Sequence, residues 1–364
     1  MDPLIVGAGP AGSAAAIVLA RGGARPVIRE RATETGDALC GGFLSWRTCE
    51  TLRGLGVEAA GLGGHPVREL ALYAQGKVGI AKLPAAGVGL SRRALDEALL
   101  MRAVAEGARI ERGVRLLSLE PDGTARFEGA VDARDESLFL ATGKHDVRGL
   151  PRQAARGGGD QSVGIRLRLA PSPALHAALS GKIELHLFER GYAGLVLQDG
   201  GSANLCMAVK KSLLRERGGT PVALLEALAA GSDELATRLN SWDRGAPIDT
   251  IGAVPYGWIA RDGAPGRFLL GDQAACIPSL AGEGVGLALA SGVMAGEHWL
   301  RGGGGSPPAF QAQFAHAAAR PVMTARVIAA LLERPSSARA ALALVRLWPG
   351  AADVAARATR IAAR

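Results

Sequence analysis

Cysteine is sparse in this sequence and never closely paired. Cys40, Cys49, Cys206 and Cys276 form no Cys-x-x-Cys, which argues against the common zinc sites and a redox dithiol and fits a reduced, cytoplasmic setting. His145, His176 and His186 stand at no metal-ligand spacing, so no metal is expected. No apolar run reaches the roughly 18 residues that could span a bilayer. Met1 leads almost directly into a strand, without a charged leader and cleavage site, so the expectation is a protein neither exported nor membrane-spanning. A long basic run is missing too, despite a net charge of +8 and a pI near 9.8. Arginines are interspersed with Asp and Glu, which argues against a nucleic-acid patch. The densest basic stretch is C-terminal, where Arg320, Arg326, Arg334, Arg339, Arg346, Arg357, Arg360 and Arg364 face only Glu333 and Asp353. It reads as a solvated helical face or as a peripheral contact with an anionic membrane.

What is present is the composition of an ordinary globular protein: 364 residues, 48% hydrophobic and 21% charged, long enough for two packed regions. Residues 4–6 are an apolar run. A glycine turn follows, then an alanine-rich helix former over 13–21, a stop at Gly22, Gly23 and Ala24, and a second strand over 26–29. This is a βαβ unit. Residues 92–107 predict a helix with Ala94, Leu95, Ala98, Leu99 and Val104 on one apolar face, followed by a strand pair within 109–119. Residues 139–141 predict a strand ending at Thr142 and Gly143. From 163 to 209 the period changes to two, with Ile165, Leu167 and Leu169 alternating, as do Ile183, Leu185 and Leu187, the pattern of half-buried antiparallel strands. A buried strand over 268–270, a small-residue helix over 285–300 and a helical remainder after the loose turn at 302–308 complete the chain, without internal repeat.

The chemistry-bearing residues begin with Gly7-Ala8-Gly9-Pro10-Ala11-Gly12, a G-x-G-x-x-G between strand and helix, with Glu30 at the end of the second strand. The glycines let backbone approach a pyrophosphate, the helix N-terminus stabilises its charge, and the acid accepts from ribose hydroxyls. Glu30 argues against a 2′-phosphate there, and Arg31 beside it is a further candidate cofactor contact; FAD and NAD both remain open on this motif. Gly157-Gly158-Gly159-Asp160 lacks the strand-helix frame of a second such site, which argues against a permanently bound nicotinamide domain.

Leu269-Leu270-Gly271-Asp272 runs from strand into turn, and Pro278, Gly282, Glu283 and Gly284 lead to the helix near Val285. Here the chain resembles the flavoprotein superfamily of p-hydroxybenzoate hydroxylase, geranylgeranyl reductases and flavin halogenases. The resemblance implies non-covalent FAD, with Asp272 on the ribityl chain and the helix that starts at Gly284 and Val285 aimed at the isoalloxazine. A positive helix end suits the negative charge of a reduced flavin. Ser91-Arg92-Arg93-Ala94-Leu95-Asp96 resembles the family's arginine motif and makes Arg92 a cofactor contact. Leu140-Ala141-Thr142-Gly143-Lys144-His145-Asp146 stands where the family has Ala-Asp-Gly; Thr142 replaces the Asp, which leaves NADH or NADPH open as transient donor. Cys40-Gly41-Gly42-Phe43-Leu44-Ser45 resembles the Cys-Gly-rich loop of the geranylgeranyl reductases, beside the flavin. Cys40 and Pro278 are the side chains expected nearest the reaction centre, Cys40 in a packing role.

The implied fold class is α/β: a Rossmann-type FAD-binding domain over 1–160 and 250–305, an inserted β-rich substrate domain over 161–249, and a helical C-terminal tail over 306–364. Tyr192, Tyr256 and Trp258 are the expected pocket aromatics, with Leu195, Val196 and Leu197 as apolar lining for a small lipophilic or aromatic substrate. A single-component monooxygenase acting on an aromatic or polyketide-like molecule is the first expectation. The second is a reductase of isoprenoid-type double bonds or of a quinone, which the Cys-Gly loop favours although the aromatic P-x-x-Y-x-W-x-F-P signature is absent. The halogenase W-x-W-x-I-P is also absent, Pro255-Tyr256-Gly257-Trp258-Ile259 being the nearest stretch. A flavin-binding module without turnover is the third.

Overall fold

The apolar run Leu4–Val6 (β1) is buried at every position, as a strand in the middle of a covered parallel sheet must be. A computed structural model describes residues 2–134, 137–152 and 159–361; Gly157, Gly158 and Arg364 lie outside the described residues. After β1 come Pro10–Arg21 (α1), Val27–Glu30 (β2), Phe43–Leu44 (β3), Trp46–Gly54 (α2), His65–Ala74 (β4), Lys77–Gly89 (β5), Arg92–Ala105 (α3) and Arg109–Arg112 (β6). Arg115–Leu119 (β7), Ala125–Glu128 (β8), Leu138–Leu140 (β9), Ser162–Leu169 (β10), Pro173–Leu179 (α4), Gly181–Phe188 (β11), Gly191–Leu197 (β12) and Ala203–Lys210 (β13) follow. The chain continues through Lys211–Glu216 (α5), Pro221–Ala230 (α6), Asp233–Leu239 (α7), Asp249–Ile251 (β14), Arg267–Leu269 (β15), Gly284–Gly302 (α8), Pro307–Leu332 (α9), Pro335–Leu347 (α10) and Gly350–Ala358 (α11).

The first sheet is parallel, in the order β15-β9-β1-β2-β6. It brings the ends of β1, β9 and β15 side by side, so the loops after them, at 7–12, 141–146 and 271–273, share one edge. Ligands of open α/β sheets bind at that carboxyl edge. The helix over this sheet is held by small residues: a Cβ on Gly292 of α8 would lie 2.2 Å from the Ala11 carbonyl oxygen of α1, so the two helices touch backbone to backbone. Phe139 and Phe268 stack at 4.2 Å between ring centroids, and Phe310 of α9 tilts against Phe268, which seals the sheet under the C-terminal helix.

The second sheet has eight strands in the order β14-β10-β13-β12-β11-β4-β5-β3. Its antiparallel part matches the period-two pattern. Strands β4 and β5 also join it, through a parallel pairing of β4 with β11, although the sequence reading placed residues 65–89 in the cofactor domain. Nor do 109–112 and 115–119 form a pair: β6 extends the parallel sheet while β7 pairs with β8. In α3 the buried stripe is Leu95, Asp96, Leu99, Leu100 and Ala103. Val104 is exposed because it follows Ala103 by one residue, about 100° round the helix and off that stripe.

Alternation along β12 separates its side chains. Leu195 and Leu197 go into the core that α6 and α7 cover, with Leu167, Leu205, Leu224 and Trp242. Tyr192 and Val196 lie on the opposite face. Leu195 and Leu197 are therefore core residues and not pocket lining, since successive strand residues face opposite sides.

Candidate functional site

The glycine turn after β1 divides its glycines by task. Gly7 has φ +105°, and a Cβ there would lie 2.4 Å from the Ala141 carbonyl oxygen; one on Gly12 would lie 2.0 Å from the Gly7 carbonyl oxygen. Those two glycines make the turn possible. At Gly9 a Cβ would approach only the Arg92 guanidinium, at 3.5 Å, so its bare backbone is left for something outside the protein. No side chain caps α1, whose first residue is Pro10, which leaves the first-turn N–H groups to an anion.

The Glu30 carboxylate closes the mouth of this turn. It accepts from the Ala8 N–H at 2.8 Å and the Ala32 N–H at 2.9 Å, and each oxygen keeps a lone pair for a hydroxyl. Arg31 is exposed and reaches His145 Nε2 at 3.2 Å. Arg92 is clamped by both Asp96 oxygens at 2.8 and 2.7 Å. Burial opposes its charge, but Asp96 outweighs burial and holds the guanidinium above its ordinary pKa.

Gln273 and Arg152 join the β9 and β15 loops into one surface. Gln273 Nε2 donates to the carbonyls of Gly143 and His145 at 2.9 and 2.7 Å. Arg152 donates to the Asp272 carbonyl at 3.1 Å, to Asp146 at 2.7 Å and to the Lys144 carbonyl. Lys144 Nζ stands 3.7 Å from the Asp272 carboxylate, which raises the ammonium above its ordinary pKa against the effect of burial. Trp258 Nε1 donates to the Gln273 carbonyl at 3.2 Å; it braces this loop and is not among the residues of the cavity described below. Gly271, with φ +56°, packs over Ala11 and Ala288. Val285 is buried in the core, so α8 offers backbone, not that side chain, to a ligand.

The Cys-Gly loop is pinned from the second sheet. Asn204 Nδ2 donates to the carbonyls of Cys40 and Gly41, both at 2.9 Å, while Arg166 Nε holds Asn204 Oδ1 at 2.9 Å. Arg166 also pairs with Asp37 and, at 2.9 Å, with Asp249. The sequence carried a signal for this: Arg166 and Arg168 alternate with Ile165, Leu167 and Leu169, so both arginines project from the other face of β10. Burial pushes the Cys49 and Cys206 thiols up to about 11 and about 12, and raises Cys276 as well. Cys40 is the one half-exposed thiol among the described residues.

Pro278 is buried below the helix start, beside a cavity of about 230 Å³ lined by Tyr192, Tyr256, Lys210, Arg326 and Glu333 among others. Leu280 N–H donates to the Tyr192 phenol at 2.7 Å, and that phenol pairs with Ser279 Oγ at 2.5 Å, which Tyr256 meets at 3.1 Å. A larger open groove of about 600 Å³, next to Thr33, Thr35, Glu97 and Arg112, contains none of the candidate site residues.

These residues fit an adenine dinucleotide flavin. The Thr142 hydroxyl is buried without a hydrogen-bond partner among the described residues, and a Cβ on Gly41, Gly143 or Gly284 would meet nothing within 4 Å. A buried polar atom without a partner is costly, and the bare backbone leaves room for a ligand to supply one. Residues 1–137 match the FAD binding domain family. Menaquinone reductase of Mycolicibacterium smegmatis is 27% identical over 83% of this chain and 77% of that protein. Digeranylgeranylglycerophospholipid reductase 1 of Methanopyrus kandleri is 26% identical over 81% and 79%. The chain is an FAD-dependent oxidoreductase, similar over about four-fifths of its length to these reductases. Solved structures share the flavoprotein's fold: the flavin-dependent brominase Bmp2 at TM-score 0.75, 16% identical over 98% of this chain and 92% of that one. PqsL of Pseudomonas aeruginosa, in complex with 2-aminobenzoylacetate, aligns at TM-score 0.73, 18% identical over 93% and 98%.

If Asp272 holds the ribityl chain, Asp272→Ala should weaken FAD binding by roughly 1.5 to 3 kcal/mol, about tenfold to a hundredfold in Kd. Titration of the FAD-free variant with FAD checks this; an unchanged Kd refutes the assignment.

Glu283, the residue before α8, reads in the sequence only as part of a turn. Its fully buried carboxylate accepts from Ser45 Oγ at 3.0 Å and lies 3.3 Å from Arg360 Nη1. Burial, only partly offset by Arg360, raises the carboxyl to about 7, and burial lowers the Arg360 pKa. The folded pKa exceeds the unfolded one, so the stability conferred by the proton is complete below about 4.5 and lost as pH rises through about 7. Relative to Glu283→Gln, the wild-type melting temperature should fall across that window; parallel curves would contradict it.

Proposed function

We propose that this flavoprotein is a reductase that saturates a carbon–carbon double bond of a lipophilic isoprenoid or of an isoprenoid-tailed quinone, with NADH or NADPH as transient donor. The observation that supports it is the pair of phenols, Tyr192 buried and Tyr256 half-buried, sharing Ser279 in the cavity beside Pro278. FAD, when bound, supplies the hydride chemistry. Orienting the substrate and providing a proton fall to the chain. Burial raises both phenols far above their ordinary pKa, so both stay protonated at neutral pH. They can donate a hydrogen bond to a carbonyl or a proton to a developing carbanion, and cannot serve as bases. Gly7, Gly9, Gly12, Glu30, Arg92, Thr142, Asp272 and the helix from Gly284 would hold the cofactor, and the Asn204-pinned loop at Cys40 and Gly41 would cover it.

The reductase relatives that align over four-fifths of the chain support this reading over the oxygenation that the sequence put first. Oxygenation remains the second reading, because a small, phenol-lined cavity would also suit an aromatic ring. We place the reaction in the cytoplasm, with the C-terminal helices touching a membrane surface; among the described residues no helix is long and apolar enough to cross one. The test is anaerobic reduction of the FAD-loaded protein by NADH and by NADPH, followed by addition of menaquinone or a polyprenyl substrate. Anaerobic return of the oxidised flavin spectrum with a saturated product is the expected result. Turnover that requires oxygen and yields a hydroxylated product would establish the second reading, and no turnover of any kind would indicate a flavin-binding module.

A further inference from the structure

We propose that the end of α9, together with α10, docks the protein on an anionic lipid surface. This rests on the reading above that the substrate is lipophilic. On α9, Arg320, Met323, Val327 and Leu331 are all exposed at the three-to-four spacing that puts them on one helical face, and Arg334, exposed as well, follows in the link to α10. On the neighbouring α10 and just after it, Leu344 is 49%, Leu347 85% and Trp348 56% exposed, although side chains of this size are usually buried. They give the neighbouring helix an exposed apolar group of its own.

Charge decides what covers this face. Between 320 and 348 stand Arg320, Arg326, Arg334, Arg339 and Arg346, against Glu333 alone, and Glu333 is taken by Lys210 at 3.4 Å. None of these five guanidiniums has a carboxylate partner among the described residues. Elsewhere arginines do close ion pairs, as Arg21 and Arg102 with Glu106, Arg190 with Glu216 and Arg238 with Glu184. Not all of the basic stretch belongs to the face: Arg357 pairs with Asp353, and Arg360 is held at Glu283. Unpaired arginines around exposed Leu, Val and Trp match a surface of phosphate headgroups over acyl chains. A second copy would bring the same unpaired cations face to face, which costs energy at a symmetric interface.

The face also adjoins the cavity. Arg326 and Ala330 are exposed and line the Tyr192–Tyr256 cavity, so that cavity reaches the surface along the helix that would lie on the lipid. A lipid-borne substrate could pass from the bilayer to the phenols without crossing water.

The experiment uses the FAD-loaded full chain, sedimented with vesicles of phosphatidylcholine alone or with phosphatidylglycerol added. Binding should require phosphatidylglycerol and fall with salt. Arg334→Gln and Arg339→Gln should each lower it about fivefold, and Leu347→Ser should lower it further. Turnover of a short-tailed, water-soluble quinone should be unchanged in these variants, which reports the reaction separately. Sedimentation with neither vesicle, equal sedimentation with both, or variants that bind like wild type would overturn the docking face and leave the reaction reading standing. Lipid binding without turnover of any quinone or polyprenyl substrate would uphold the docking face and count against the reaction reading.

Discussion

Gly9→Val is expected to abolish FAD retention while leaving the melting temperature of the FAD-free protein nearly unchanged. The position has an extended backbone, φ −72° and ψ −175°, that valine adopts readily, and its Cβ would meet only the far end of Arg92 at 3.5 Å. Fold stability should therefore change by no more than about 1 kcal/mol. The pyrophosphate, in contrast, would meet the new methyl groups, and a loss of about a hundredfold in affinity, roughly 2.7 kcal/mol, is the least expected. Gly7→Ala should behave differently. Its positive φ and the Ala141 carbonyl 2.4 Å from the new Cβ strain the FAD-free fold itself, by about 1 to 3 kcal/mol for the backbone conformation alone. Melting curves with and without FAD separate the two. If Gly9→Val retains FAD, the turn does not hold the pyrophosphate.

Arg166→Met should lower both stability and FAD affinity, because it removes the hub that pins the Cys-Gly loop. Its side chain is 7% exposed and bonds Asp37, Asp249 and Asn204. Removing one member of a buried network leaves its partners unsatisfied, at a cost of about 3 kcal/mol, the lower end of the usual range because Asp249 is half exposed. Asn204 would then be free to release the Cys40 and Gly41 carbonyls. Arg168→Met is the control: that side chain is 37% exposed, and an ion pair so placed contributes about 1 kcal/mol or less. Thermal melts and FAD titrations of both variants decide the matter. Equal effects would mean the loop is not held through Arg166.

Local signals made the cofactor half legible. The turn at Gly7–Gly12, the acid ending β2 and the Gly271-Asp272 pair each sit within a few residues of their strand, so sequence order alone put them on one sheet edge. What joins them was not legible. Gln273 and Arg152 act through backbone carbonyls of a loop more than a hundred positions away, and no spacing announces such a contact. Lys144 stands in its motif without a readable role, which appears only where the fold sets it against Asp272. The second sheet was half read: β10 and β11 alternate cleanly, whereas β4 and β5 mix alanine, glycine and proline with half-buried positions and reach the sheet through a parallel pairing with β11. Leu195 shows the limit of composition as a guide. An apolar residue next to pocket candidates looks like lining, but alternation on β12 turns it into the opposite core. Glu283 was hidden because its partner, Arg360, lies at the other end of the helical tail.

Identification of the flavin released from the purified protein by acid denaturation tests the central claim most directly. A fingerprint that leaves Gly9 bare, with Glu30 across its mouth and Asp272 on the adjoining loop, is built for a non-covalent dinucleotide. The account predicts FAD in the supernatant, one per chain, over a colourless precipitate. FMN alone, a yellow precipitate, or no flavin even after incubation with FAD would contradict it.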